Sequence, residues 1–287
     1  MTDVIIRSAA NELSKTFGQP FVIENQGGGA GGVVATKNCV NAEADGHTLC
    51  VLSHSSTSYN PLLFAKLPYD PDDIVPIARL FFLVEGVFVP AGLAVETVAQ
   101  LKELAKTKSS ALNYGTLGSG SFPELFLSWL NNQWGASMVG VPYRGGGPIA
   151  QALAANEVQV TRVGLGNFIG LIQAGKVKAL AVNSKQRSKL VPDVPTLAET
   201  GLDGYPGFGW WGLAGPKGTP PEVVDRVNRE FVKLFRDPNF VSFLDQQAVV
   251  SSPTTPKEFA DFITTDRAAA ETLVKIAKTP PVDFKPE

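Results

Sequence analysis

Hydrophobic positions recur along this chain in two alternating rhythms. Val4, Ile5, Ala9, Leu13 and Phe17 stand at helical spacing, with Gly18 at the stop position, and predict a helix over 3–17. Phe21-Val22-Ile23 then predicts a short strand, and a glycine run, 27–32, opens a second helix ending near Asp45-Gly46. Thr48 to Leu52 reads as the next strand. Further on, helices at 98–106, 121–134 and 148–155 alternate with strands at 112–114, 138–141 and 158–163. Another helix ends near Gly175 and is followed by a strand from Lys178 to Val182. This alternation predicts an α/β fold with parallel sheets covered on both faces.

The rhythm breaks after Pro192. Residues 205–212, Tyr-Pro-Gly-Phe-Gly-Trp-Trp-Gly, are aromatic and glycine-rich. Pro220-Pro221 then starts a long helix, with Val223, Val224, Val227, Phe231 and Leu234 on one face, and helix continues to about Lys278. The chain therefore reads as leaving one domain, building a second and returning. Domain one takes 1–92 and 208–287, and domain two takes 93–207.

Composition narrows the function classes. Net charge is −2, from 25 basic and 27 acidic residues without a basic run, so no nucleic-acid partner is expected. No apolar run approaches the ~20 residues of a membrane span. Met1 to Arg7 shows no basic segment leading into an apolar core, so no signal peptide is read there. The two histidines, His47 and His54, and the two cysteines, Cys39 and Cys50, lack metal-ligand spacing, and no metal or cofactor is expected. The cysteines read first as two buried thiols, with a single disulfide as the alternative in an exported protein.

The candidate chemistry lies in turns that follow strands. The run 27–32 satisfies G-x-G-x-x-G, but so glycine-rich a run satisfies almost any glycine pattern. A nucleotide-dependent enzyme, a helix-capping turn and a ligand contact all stay open there. Gly115-Thr116-Leu117-Gly118-Ser119-Gly120-Ser121 is more specific. Amides at a helix N-terminus, joined by the hydroxyls of Thr116, Ser119 and Ser121, suit a carboxylate. The turn has neither a P-loop lysine nor a nucleophile elbow, and an empty capped turn is the alternative. Tyr143-Arg144-Gly145-Gly146 repeats the arrangement one unit later, and two such turns would open on one crevice. Ser53, His54 and Ser55 form a polar burst ending a strand; they read as a ligand contact or an ordinary turn rather than as a nucleophile pair. Arg162 lies in phase with Val158 and Val160 just before Gly164, and wants a carboxylate from a ligand or from a structural Asp or Glu.

Several stretches together resemble one family over nearly the whole chain. They are Gly18-Gln19-Pro20 through Glu24-Asn25, Asp45-Gly46-His47-Thr48-Leu49, Asn60-Pro61-Leu62 and Lys66-Leu67-Pro68-Tyr69-Asp70-Pro71. Leu112-Asn113-Tyr114-Gly115, Val141-Pro142-Tyr143-Arg144-Gly145, Asp193-Val194-Pro195-Thr196 and Trp210-Trp211-Gly212-Leu213 follow in order. The chain is similar to the solute-binding proteins of tripartite tricarboxylate transporters, the Bug-type family. The resemblance implies a type II periplasmic-binding-protein fold, whose two α/β domains close over a small carboxylate. It also implies a periplasmic monomer, without enzymatic activity, that delivers its ligand to membrane transporter subunits. The ligand turns it implies are Ser53 to Ser56, Gly115 to Ser121 and Tyr143 to Gly146, with Arg162 and Gly164 as further candidates.

The chain departs from the family pattern in three places. It opens inside the family's first helix, so domain one is expected to lack an inner strand and to carry an apolar slot. An impaired site in a truncated paralogue is the corresponding alternative. Val163 stands where the family often has Asp, which argues against an amino-acid ligand, and Arg162 stands where an apolar residue is common.

Overall fold

The computed structural model describes residues 1–26, 30–108, 112–118, 120–202, 205 and 207–284. The chain divides into two compact units. Unit 1 is Met1–Phe82, Gly209–Ala268 and Pro281–Glu287; unit 2 is Leu83–Phe208 and Ala269–Pro280.

Unit 1 begins with α1 (Thr2–Phe17), which buries Ile5, Ile6, Ala9, Ala10 and Leu13 and ends at a left-handed Gly18. After α2 (Val33–Val40) come β1 (Cys50–Ser53), a π-helical turn over Ser55–Tyr59 and the short α3 (Asn60–Leu63). The strands β2 (Ile74–Leu83), β8 (Trp210–Pro216) and β9 (Val249–Ser251) complete a sheet of order β1-β8-β2-β9. The helices α8 (Pro221–Arg236), α9 (Pro238–Gln246) and α10 (Pro256–Ala277) follow β8. The apolar face of α8 buries Val224, Val227, Phe231 and Phe235. Phe81 of β2 stacks between Trp211 and Phe235, with ring centroids 5.9 and 6.2 Å away. Each such ring removed from water contributes roughly 1.5–3 kcal/mol.

Parallel sheets were expected, and this sheet corrects that expectation. β8 runs antiparallel to both β1 and β2. The chain re-enters unit 1 from unit 2 and lays β8 between strands made long before it, so no crossover helix fixes a parallel direction.

The strand expected at Phe21–Ile23 does not form. The segment pairs with no described strand, and a strand exists only where a neighbour takes its backbone hydrogen bonds. Val22 is left largely exposed. Phe21 to Gln26, the edge strand β1, and Ile6, Ala10, Val227 and Phe231 border a groove of about 1180 Å³ inside unit 1.

The first reading of the cysteines is also corrected. Cys39 of α2 and Cys50 of β1 form a disulfide, across a sequence separation of 11. Both are buried in a cluster with Leu52, Ile74 and Ala214, where helix α2 packs onto the sheet.

Unit 2 contains β3 (Glu85–Pro90), α4 (Val98–Lys108), β4 (Asn113–Thr116), α5 (Phe122–Trp134) and β5 (Val139–Pro142). It continues with α6 (Gly146–Ala154), β6 (Val160–Gly164), α7 (Ile169–Gln173) and β7 (Val177–Val182). The sheet order is β5-β4-β6-β3-β7. Here β4 is parallel to β5 and β6, as βαβ units demand, while β3 runs antiparallel to β6 and β7. The last turns of α10 join this unit, where Asn132 donates to the Ala277 carbonyl at 3.0 Å.

Closing a loop of this length lowers the entropy of the unfolded chain. Replacing Cys39 and Cys50 by Ser, or adding reductant, is expected to cost about 3 kcal/mol. Denaturant unfolding with and without reductant measures it, and the double Ser variant should lose its sensitivity to reductant.

Candidate functional site

The geometry of unit 2 starts from β4. The chain leaves β4 through α5 to reach β5 on one side, then crosses back through α6 to β6 on the other side. Right-handed crossovers in opposite directions put the two helices on opposite faces of the sheet. The side-chain contacts agree. Gly140, paired with Tyr114, faces α5: a β-carbon there would lie 3.2 Å from Leu127. Gly115, on the other face, would bring a β-carbon to 2.9 Å from Ile149 of α6. Both N-termini thus open at the carboxyl end of β4, the switch point at which open α/β sheets bind ligands.

The turn entering α5 is polar and uncapped. Gly118 and Gly120 have φ of 93° and 77°, left-handed values that favour glycine. The Gly118 amide donates to Thr116 Oγ1 at 3.3 Å, and the Ser121 amide donates to the Gly118 carbonyl at 3.1 Å. Ser121 is the N-cap of α5, yet its side chain makes no capping bond. Its Oγ is buried and has no hydrogen-bond partner among the described residues. Beside it, burial raises the pKa of Glu124, and a hydrogen bond with Thr116 partly offsets the shift.

The second turn is tied to the first, because the Tyr143 amide donates to the Thr116 carbonyl at 2.9 Å. Gly145 is the N-cap of α6, also without a side-chain cap. Gly146 lies so close to the turn after β6 that a β-carbon would meet Asn167 Nδ2 at 2.7 Å. Asn167 in turn donates to the Gly164 carbonyl at 3.0 Å. Gly115, Thr116, Gly118, Ser121, Tyr143, Gly145, Gly146 and Gly164 therefore gather at one end of one sheet. Ser119 lies outside the described residues.

Arg162 has the protein partner that the sequence left open. Its Nη2 lies 3.0 Å from Glu85 Oε2, with both side chains almost wholly buried. Its guanidinium packs 4.5–4.8 Å from the centroids of Phe122, Phe126 and Tyr205. Burial pushes the Glu85 carboxyl up to about 7, against the lowering effect of Arg162.

In unit 1, Ser53 ends β1, and His54 and Ser55 lead into the π-helical turn. His54 is buried among Tyr59, Trp210 and Trp211. The turn rests on polar residues to which the sequence reading gave no role. Thr36 Oγ1 donates to Ser56 Oγ at 2.9 Å, and Tyr69 donates its hydroxyl to the Ser56 carbonyl at 2.8 Å. Asn60 Nδ2 donates to Tyr69 Oη at 2.9 Å and to the Gly31 carbonyl at 3.0 Å. Asn60-Pro61 and Pro68-Tyr69 were visible as motifs, but their pairing joins segments that only the fold brings together. Residues 27–29 of the glycine run lie outside the described residues. Among the described residues, no group of His, Cys, Asp and Glu could hold a metal ion.

Solved structures share this architecture. R. palustris Rpa4515 with adipate is 28% identical with a TM-score of 0.92, covering 98% of this chain and 94% of that one. The periplasmic binding protein BugD is 27% identical with a TM-score of 0.90, at the same coverages of 98% and 94%. MatC (Rpa3494) from Rhodopseudomonas palustris with bound malate is 29% identical with a TM-score of 0.87, covering 96% of this chain and 94% of that one. Fold and turns together define a solute-binding protein of the periplasmic-binding-protein class. Residues 5–278 match the model of the tripartite tricarboxylate transporter family receptor, and the chain belongs to that family. Membership does not favour a nucleotide-dependent enzyme built on the glycine run.

Burial raises the Tyr69 hydroxyl to about 12, from an ordinary 10.0. The unfolded phenol ionises first, so stability is unaffected below pH 10 and falls as pH rises from 10 towards 12. Tyr69→Phe is expected to abolish that alkaline component. At neutral pH it should cost about 1–3 kcal/mol, because the Ser56 carbonyl loses its donor. Denaturant unfolding at neutral and alkaline pH tests both parts.

Proposed function

We propose that this chain is a non-catalytic periplasmic receptor that captures a small carboxylate: a dicarboxylate, a tricarboxylate or an aromatic acid. It then presents the ligand, as a monomer, to the membrane subunits of a tripartite tricarboxylate transporter. The observation that carries this reading is Ser121 Oγ, buried and unpartnered at the uncapped N-terminus of α5. A buried hydroxyl without a partner is costly unless a ligand completes it. The first-turn amides of a helix have no intrahelical acceptors, and the helix dipole favours a negative charge beside them.

A carboxylate oxygen takes the hydrogen of Ser121 Oγ and the free amides of α5. The α6 N-terminus at Gly145 and Gly146, with Thr116, Gly118, Ser119, Tyr143 and Gly164, supplies further contacts within unit 2. Ser53, His54 and Ser55 are the contacts proposed in unit 1. This chemistry needs no metal, no cofactor and no acid–base pair. The neighbours with adipate and malate carry ligands of the proposed class. An amino-acid ligand is disfavoured, since Val163 offers no carboxylate to an ammonium group.

A thermal-shift screen against mono-, di- and tricarboxylates and aromatic acids tests the reading. A ligand at 100 times its dissociation constant stabilises by about 2.7 kcal/mol. Ser121→Ala is expected to weaken the best ligand about ten-fold while leaving the ligand-free melt intact, since it deletes one hydrogen bond to a charged group. A cooperative melt that no acid in the panel shifts would overturn carboxylate capture.

A further inference from the structure

The chain enters unit 2 between Phe82 and Leu83 and leaves it between Phe208 and Gly209. One side chain inside unit 2 touches both passages. Arg162 Nη2 pairs with Glu85 at 3.0 Å, just after the entrance, and donates to the Gly207 carbonyl at 3.4 Å, just before the exit. Glu85 is itself held firmly. Asn183 Nδ2 donates to its Oε2 at 3.2 Å, and the Glu85 amide donates to Asn183 Oδ1 at 2.9 Å. The backbones close the same loop, with the Asn183 amide on the Glu85 carbonyl at 2.9 Å.

The carbon of the same guanidinium lies over the rings of Phe122, the first residue of α5, Phe126 and Tyr205. Tyr205 stands beside the exit passage and donates its hydroxyl to the Phe122 carbonyl at 3.5 Å. Phe122 follows Ser121 directly. Among the described residues, Arg162 Nε and Nη1 are buried with no hydrogen-bond partner, and the rings lie against that part of the group. A guanidinium kept this dry, with two of its nitrogens unpartnered, is costly, and a residue serving only to fill the core would be apolar.

We propose that Arg162 is a positioning residue that fastens the entrance and exit passages of unit 2 to each other and to the N-terminus of α5. A carboxylate seated at Ser121 thereby biases both passages through Phe122 and Arg162. This second statement rests on the carboxylate-receptor reading; the fastening itself does not.

Hydrogen exchange followed by mass spectrometry tests both on the full chain. Arg162→Met keeps the bulk and removes the fork. Leu101→Ala, in the buried face of α4, serves as a destabilised control away from the passages. Ligand-free Arg162→Met is expected to exchange about ten-fold faster than Leu101→Ala around Glu85, Phe122 and Gly207, and alike elsewhere in unit 2. Equal patterns in the two variants would overturn the fastening. Arg162→Lys keeps the charge but not the planar group, so it should restore protection around Glu85 but not around Phe122 and Gly207. If Arg162→Met does not fold, Tyr205→Leu replaces it. That variant should loosen Phe122 and Gly207 and spare Glu85, and a uniform change would count against the proposal.

Adipate and malate are the probes for the second statement. Either one, once it shifts the melt, should slow exchange around Phe122, Glu85 and Gly207 together in the wild type, and around Phe122 alone in Arg162→Met. Slowing confined to the Ser121 turn in the wild type would overturn the coupling. A melt that neither probe moves would count against the receptor reading and the coupling with it, while the ligand-free comparison would still decide the fastening.

Discussion

The handedness of two connections organises the end of unit 2 where β4 gives way to the polar turns. A parallel strand pair needs a crossover, and a right-twisted sheet accepts that crossover in one hand. Because β5 lies on one side of β4 and β6 on the other, α5 and α6 take opposite faces. Their N-termini then converge on the end of β4 without any side chain having to pull them there. Glycine at 115 and 140 follows from the same constraint, since each faces a helix too near to admit a β-carbon without displacement. The polar turns are consequences too. Residues entering these helices must leave amides free, and any side chain that capped them would compete with a ligand.

Against that background the buried ion pair needs a separate reason. Taking Arg162 and Glu85 out of water costs several kcal/mol per ion, and a well-packed apolar pair of similar volume is often at least as stable. Burial raises the Glu85 carboxyl despite the neighbouring cation, in keeping with that cost. What an apolar pair could not supply is direction. A guanidinium edge reaches two acceptors on two different segments while its faces meet three rings. Geometry of that kind fixes one arrangement of the passages, where a greasy contact would tolerate several.

Where local pattern determined structure, it was legible. The helices α1, α5 and α8 lie within a residue or two of the periodic runs that predict them, and their stops fall on glycine or on a change of pattern. The unit 2 strands were legible for the same reason, as short apolar runs between turn residues. The run from Ile74 to Pro90 escaped notice. It is nearly continuous in apolar residues and carries Pro76 and the bulges near it, so neither alternation nor a clean boundary marks it as strand. Antiparallel β8 was equally hidden, because its partners lie more than a hundred residues away. The turns of the proposed site were legible, because the glycines, Thr116 and Ser121 mark them by their spacing. Glu85 and Tyr69 were not legible, since a single acid or phenol gains meaning only from the residues that surround it after folding.

Phe21–Ile23 shows the same limit from the opposite side. Its composition is that of a strand, and β-propensity describes how well a residue fits a half-buried pleated surface. In unit 1 no such surface lies beside it; the neighbouring feature is an open groove, with α1 and α8 on its flanks and the edge of β1 across it. The segment stays outside both sheets, and Val22 remains largely in water. The disulfide lies at the wall of the groove and holds α2 to β1, and Asn38 of α2 donates to Gln26 Oε1 at 2.7 Å beside it. The covalent link fixes the separation of helix and edge strand there. Reductant is consequently expected to loosen unit 1, which carries both cysteines, and to leave the sheet of unit 2 unaffected.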